Sequence, residues 1–104
     1  MNIAKMMKQA QQMQKKMGEM QAEMADKEFE ASVGGGKVTV IANGAGDVVS
    51  IKIDPSVVDP DDVEMLEDLV LSGVKQAIEQ GKKVNQEEMS KMTEGLGLPP
   101  GLGF

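Results

Sequence analysis

Apolar side chains near the start of the chain recur at alternating spacings of three and four residues. They are Ile3, Met6, Ala10, Met13, Met17, Met20 and Met24, here called the methionine seam. This spacing lines them along one side of an α-helix in the way expected of a helix that packs against another helix. We therefore predict a helix over residues 2–25.

Three short segments that follow have the patterns of β-strands. Residues 27–33 alternate weakly between apolar and polar, residues 37–42 are rich in β-branched side chains, and residues 47–53 alternate clearly. Glycine-rich turns of the hairpin type separate them. The pattern predicts a three-stranded antiparallel meander with one polar face.

A second helix is predicted over residues 60–94. Asp59 is a favourable N-cap, Pro60 suits the first helical position, and an apolar face follows. Gly81 leaves open whether this helix is continuous or broken, because Asn85 and Glu88 have the spacing of a new capping box. The Gly- and Pro-rich residues 96–104 are not expected to be ordered by themselves. The fold class is thus α+β, with a single domain over residues 1–95.

The element lengths bear on assembly. At 1.5 Å per residue the two helices would be about 36 Å and 50 Å long, whereas the strands would span only about 20–23 Å. The helices must therefore overhang the sheet, and an overhanging apolar seam needs a partner. A homodimer with protruding helices is the simplest solution.

Charge is distributed unevenly along the chain. The net charge is −6, yet residues 1–18 carry +4 and the remainder carries −10. In the first helix a polar stripe lies opposite the methionine seam and consists of Lys5, Lys8, Gln12, Lys15 and Lys16. The stripe is either an ordinary solvated face or a contact surface for a polyanion. Lys82, Lys83 and Lys91 would add charge from the second helix.

Other chemistries are poorly supported. Without His, Cys or Arg, the chain lacks the usual bases, thiol nucleophiles and guanidinium groups, so we expect no enzymatic activity and no small-molecule substrate. The Gly-rich segment 34–37 lacks the first Gly and the Ser or Thr of a phosphate-binding loop, and the acids near residue 60 lack calcium-loop spacing. Paired methionines favour helix packing over a Cu(I) site. We expect no metal and no cofactor.

Membrane association is not expected either. No apolar run approaches the ~20 residues that span a bilayer, and the basic N-terminus lacks the apolar core of a signal peptide. The methionine seam is also narrow for a helix lying on a lipid surface. These features favour a cytoplasmic protein.

Four segments resemble the YbaB/EbfC family of bacterial nucleoid-associated proteins. They are residues 6–14, 53–56, 65–70 and 98–101, and the similarity covers essentially the whole chain. The resemblance implies a tweezer-like homodimer that binds double-stranded DNA in the bacterial nucleoid through its protruding helices. Carried over by position, the DNA-facing lysines are those of the polar stripe, with Lys82, Lys83 and Lys91 as second candidates.

Two functional hypotheses follow. The favoured one is a dimeric DNA-binding protein that contacts phosphates through lysine, with weak sequence selectivity because arginine is absent. The alternative is a protein-interaction module that binds another cytoplasmic protein through its helix seams or its C-terminal tail. The acidic body of the chain favours the alternative.

Overall fold

The computed structural model describes residues 2–95 as a three-stranded sheet with a helix before it and a helix after it. Helix α1 spans Ile3–Asp26 and α2 spans Val63–Gly95. Between them are β1 (Glu28–Val33), β2 (Val38–Asn43), β3 (Val48–Ile53) and a 3-10 turn at Pro55–Val57. The predicted α+β architecture is confirmed. The prediction for residues 96–104 lies outside the described residues.

The sheet is an antiparallel meander in the order β1-β2-β3. At its first turn, Gly34, Gly35 and Gly36 have φ of 64°, 67° and 86°, a left-handed run that side chains with a Cβ rarely adopt. At the second turn the Asn43 side chain accepts hydrogen bonds from the backbone N–H groups of Ala45 and Asp47, both at 3.0 Å. Because the strands are antiparallel and consecutive, the two turns lie at opposite ends of the sheet.

The core lies between α2 and the first two strands. Val38, Val40 and Ala42, alternate residues of β2, are fully buried together with Ala77 of α2. Helix α2 approaches closely at Gly73, where an added Cβ would lie 2.8 Å from Val40 Cγ2. The single helix thus packs tightly over β1 and β2.

Strand β3 is only partly covered. Ile51 and Ile53 pair with Val40 and Val38, so they share the sheet face that α2 packs against. They are nevertheless 44% and 38% exposed, and Val49 is 53% exposed. A helix is about 10 Å wide and strands lie about 4.8 Å apart, so one helix covers two strands and leaves the third open. The predicted alternation holds from Ile51 to Ile53, whereas a bulge pairs Val48, and not Val49, with Ala42. The apolar face of β3 remains exposed.

Helix α2 begins later than the sequence suggested. The N-cap is Asp62, whose side chain accepts a hydrogen bond from Met65 N at 3.3 Å, and not Asp59. Asp59 instead accepts from Asp61 N at 2.9 Å, and its carbonyl accepts from Asp62 N, so the chain still turns at this point. Downstream, α2 is continuous through Gly81. A Cβ at Gly81 would lie 3.2 Å from both Asn43 O and Phe29 Cδ2, so close packing against the sheet accounts for this glycine.

Candidate nucleic-acid interface

The polar stripe of α1 is accessible along its whole length. Asn2 caps the helix by accepting a hydrogen bond from Lys5 N at 3.3 Å. All the members of the stripe are exposed: Lys5, Lys8, Gln12, Lys15 and Lys16. Within residues 2–95, none of its four lysines makes an ion pair. Their ammonium groups are therefore available to an external anion.

The methionine seam changes from exposed to buried along α1. Ile3, Met6 and Ala10 are exposed; Met13, Met17 and Met20 are half-buried; Met24 is 2% exposed. Helix α1 contacts α2 and β2, so the second half of the seam is partly covered within a single chain. The first half projects without cover from the described residues. Whether the seam also joins two copies remains a prediction.

A compact joint attaches α1 to the sheet. Gly44 N donates to Met24 O at 2.8 Å and to Lys27 O at 3.2 Å. A Cβ at Gly44 would lie 2.5 Å from both the carbonyl oxygen and Cε of Met24, so only glycine fits there without displacement. The joint fixes the end of α1 at the β2–β3 turn and lets the rest of the helix extend away from the sheet.

The C-terminal part of α2 extends beyond the same end of the sheet as α1. Leu69 lies near Gly34 at the first turn and Gly81 lies near Gly44 at the second, so the residues after Gly81 extend past the second turn. Here the half-buried side chains include Val84, Asn85 and Met92. The molecule measures 70 × 22 × 17 Å, in keeping with helices that reach beyond the sheet. We call the residues before Met24 and after Gly81 the prong.

The second set of candidate lysines lies on α2 within the prong. Lys82, Lys83 and Lys91 are exposed. Lys91 forms a surface ion pair with Glu88 at 3.9 Å, while its side chain remains 75% exposed. Such a pair is worth little in water and does not prevent a phosphate contact. The structure thus brings both sets of candidate lysines to the same end of the molecule.

The described part of the chain lacks the features of a metal site and of a membrane span. Residues 2–95 contain no group of three or more acidic side chains arranged to hold a metal ion. Over the same residues, neither helix combines the length and apolar character needed to cross a membrane. The glycines at 34–36 form the β1–β2 turn, as the sequence indicated, with no helix following them.

A group of exposed apolar side chains on the sheet and on α2 was not predicted from the sequence. Val49, Ile51 and Ile53 of β3, together with Leu71 of α2, stay exposed although they are large and apolar. The widths of the predicted elements indicate that one strand stays uncovered, because a sheet of three strands is wider than the one helix that packs on it.

Comparison with curated proteins places the chain among nucleoid-associated proteins. It is 54% identical over 99 residues to a nucleoid-associated protein of Clostridium novyi, covering 95% of this chain and 87% of that protein. It is 52% identical to one of Clostridium kluyveri, covering 94% and 86%. The class is that of bacterial nucleoid-associated proteins.

The family is equally well defined. The YbaB/EbfC DNA-binding family matches residues 1–96, and the chain belongs to this family. The crystal structure of an uncharacterized protein from Helicobacter pylori has the same fold, with a TM-score of 0.66 at 22% identity, covering 77% of this chain and 93% of that one. The resemblance noted from the sequence is confirmed.

Proposed function

We propose that the protein acts as a homodimer in the bacterial cytoplasm and binds duplex DNA of the nucleoid through phosphate contacts from its prong lysines. The observation that carries this proposal is the polar stripe of α1. Four exposed lysines with no ion pair in the described chain lie on a helix that projects from an acidic body. Family membership supports DNA as the polyanion.

The residue types determine the kind of binding. Lys5 and Lys16 are separated by about 16 Å along the helix, a distance over which duplex DNA carries roughly nine phosphate charges. Lysine binds phosphate as a point charge, whereas bidentate reading of guanine usually requires arginine, which the chain lacks. Gln12 could donate to a phosphate or a base edge. Contacts to the phosphate backbone of the DNA therefore dominate the affinity, and sequence selectivity is weak.

Two copies double the charge available to DNA. A homodimer presents eight ammonium groups from the two polar stripes. If about six of these meet phosphates, the slope of log affinity against log salt is on the order of −5. Lys82, Lys83 and Lys91 contribute further contacts when the duplex reaches the end of α2.

A salt series tests the proposal directly. Affinity for a random duplex is measured by fluorescence anisotropy between 50 and 200 mM salt. Replacement of Lys5, Lys8, Lys15 and Lys16 by Glu should abolish binding. A quadruple variant that binds as well as the wild type would refute the role of α1.

A matched pair of variants separates local contacts from net charge. K8Q/K15Q removes two charges per copy from α1, and K37Q/K52Q removes two from the opposite end of the sheet. The first should flatten the salt slope by about 2 to 4, while the second should leave it nearly unchanged. Equal effects of the two variants would show that binding depends on total charge alone. Both are compared at the same oligomeric mass.

A further inference from the structure

The two helices of the prong extend to different distances from the sheet. Both contact Gly44, since a Cβ at Gly44 would lie 2.5 Å from Met24 O and a Cβ at Gly81 would lie 3.4 Å from Gly44 Cα. From Gly81 to its end at Gly95, α2 rises about 21 Å at 1.5 Å per residue. The same rise back along α1 from Met24 ends at Ala10. Helix α1 therefore continues beyond the end of α2.

Burial along the prong follows this difference in length. In the seam Met13 is half-buried, whereas the three members beyond it are exposed: Ile3, Met6 and Ala10. On α2, half-burial continues to Met92. Met13 lies 11 residues before Met24, and Met92 lies 11 residues after Gly81, so the two helices cover each other over the same distance. The first half of the seam extends past this overlap with its apolar side chains uncovered by the described residues.

The chain that continues from Gly95 suits this surface in composition. Residues 96–104, the C-terminal tail, contain three Leu, one Phe and two Pro and no charged side chain. An uncharged segment can pack against apolar side chains without removing an ammonium or carboxylate group from water. Its first two leucines, Leu96 and Leu98, directly follow the point where the cover by α2 ends. The tail thus supplies apolar side chains where the seam lacks cover.

Length restricts which apolar surface the tail can reach. Its nine residues span about 30 Å when fully extended. The uncovered seam from Ile3 to Ala10 is about 10 Å long and starts beside the end of α2, so it lies within this distance. A second apolar groove lies between β3 and α2, and Val74 is its lining residue nearest to Gly95 along the helix. Val74 is still about 32 Å from Gly95, so the tail cannot lie in that groove of its own copy.

We propose that the C-terminal tail folds back over Ile3, Met6 and Ala10 and covers the first half of the seam in its own copy. Attachment to α2 favours the tail over an outside partner, because a tethered segment has a high effective concentration at a nearby surface. The seam lies opposite the polar stripe, so the tail leaves Lys5 and Lys8 free. It stabilises the helical turns of α1 that carry these two lysines.

Two neighbouring methionines report on this cover. Met6 belongs to the seam and is 52% exposed, while Met7 lies beside the seam and is 59% exposed, so the described residues leave both open to dilute hydrogen peroxide. In the full-length chain, tandem mass spectrometry should find Met6 oxidised several-fold more slowly than Met7. A chain ending at Gly95 should oxidise both at similar rates. Equal rates in the full-length chain, or slow oxidation of Met6 that persists in the shortened chain, would overturn the proposal.

Two triple variants separate the side chains of the tail from its length. The first replaces leucines and the second replaces glycines: L96S/L98S/L102S and G97S/G101S/G103S. The leucine variant should oxidise Met6 nearly as fast as Met7, because the apolar contact is lost. The glycine variant keeps the leucines and should still protect Met6. Equal protection of Met6 in the two variants would contradict a contact made by the leucines.

Cross-linking tests whether the contact lies within one copy. The chain has no cysteine, so a pair of introduced cysteines reports on those two positions alone. M6C/L98C should form a disulfide readily and keep the 11.1 kDa mass of one chain, because the proposed contact brings the two Cα atoms close enough to bridge. K8C/L98C, with its first cysteine on the polar stripe, should react much more slowly. Equal reaction of the two pairs, or a product of twice the chain mass from the first pair, would refute the assignment.

These measurements need no DNA, so they are independent of the proposed function. If the tail protects Met6 but the protein ignores duplex DNA at low salt, the contact stands and DNA binding through the prong fails. One further expectation rests on the proposed function. A chain ending at Gly95 should bind a random duplex several-fold more weakly than the full-length chain at the same salt, because Lys5 and Lys8 then lie on fraying turns.

Discussion

Two helical glycines in different surroundings should respond oppositely to the same substitution. Gly18 lies in α1, and an added Cβ would meet nothing within 4 Å. Gly73 lies in α2, where a Cβ would be 2.8 Å from Cγ2 of the fully buried Val40 and 3.6 Å from Val33 Cγ2. Ordinary carbon contacts are about 3.5–4.0 Å, so Gly73→Ala forces α2 away from the sheet.

The magnitudes follow from this geometry. Both substitutions gain about 1 kcal/mol from the higher helix propensity of alanine. Gly73→Ala also loses about 1–3 kcal/mol from overpacking. Because the propensity gain is common to both, the free energies of unfolding of the two variants should differ by about 1–3 kcal/mol, with Gly18→Ala the more stable.

Urea unfolding at fixed protein concentration measures this difference. The chain has no Trp or Tyr, so circular dichroism at 222 nm is the suitable signal. Fixed concentration matters because the proposed self-association would make the measured stability depend on protein concentration. If Gly73→Ala proves as stable as Gly18→Ala, α2 does not press on β2 as described.

Three further changes probe the joint, the cap and one turn. Met24→Ala should destabilise the protein by about 2–5 kcal/mol in urea unfolding, because it empties the buried joint of α1. Asn2→Ala should speed amide hydrogen exchange in the first turns of α1 and barely change global unfolding, since this end of α1 touches nothing else among the described residues. Hydrogen bonding from Ser56 N, aided by Lys37 at 3.6 Å, holds the pKa of Asp54 below its ordinary value of 3.8. The ionised Asp54 therefore stabilises the fold above pH 3.8, and this stabilisation is lost as the pH falls through the lowered pKa. Asp54→Ala should therefore lose less stability than the wild type between pH 5 and pH 3.

Periodicity predicted most of the fold because α1, β2 and α2 each carry a strong apolar repeat. The predicted strand boundaries differ from the observed ones by one residue, which is the usual uncertainty at the end of an element. The start of α2 was harder to predict, because Asp59, Asp61 and Asp62 are all favourable N-cap residues. Which of them serves depends on how the chain leaves β3, and that is a tertiary effect.

Part of the candidate functional surface could also be predicted from the sequence, and part could not. The lysine stripe could be placed from helical spacing alone, because exposure of a charged face needs no knowledge of the packing. The exposed side of β3 could not be placed in this way. Element widths show that one of three strands stays uncovered, but exposed and buried apolar strands have the same alternation. Val40 and Ile51 look alike in sequence, and only the position of α2 distinguishes them.

In the proposed mode of binding, an acidic protein holds DNA because helix α1 is longer than the range of the protein's own electrostatic repulsion. At physiological salt the Debye length is about 8 Å, whereas Lys8 lies about 24 Å along α1 from the joint at Met24. The acids of the sheet and of the first half of α2 are thus screened from a duplex held near Lys8. At 10 mM salt the Debye length grows to about 30 Å and that repulsion reaches the arm. The plot of log affinity against log salt should therefore flatten below about 20 mM, in contrast to the straight line of a uniformly basic protein. A line that stays straight to 5 mM would show that the body's charge never acts on the bound duplex, and that the separation of charge along this chain has no part in binding.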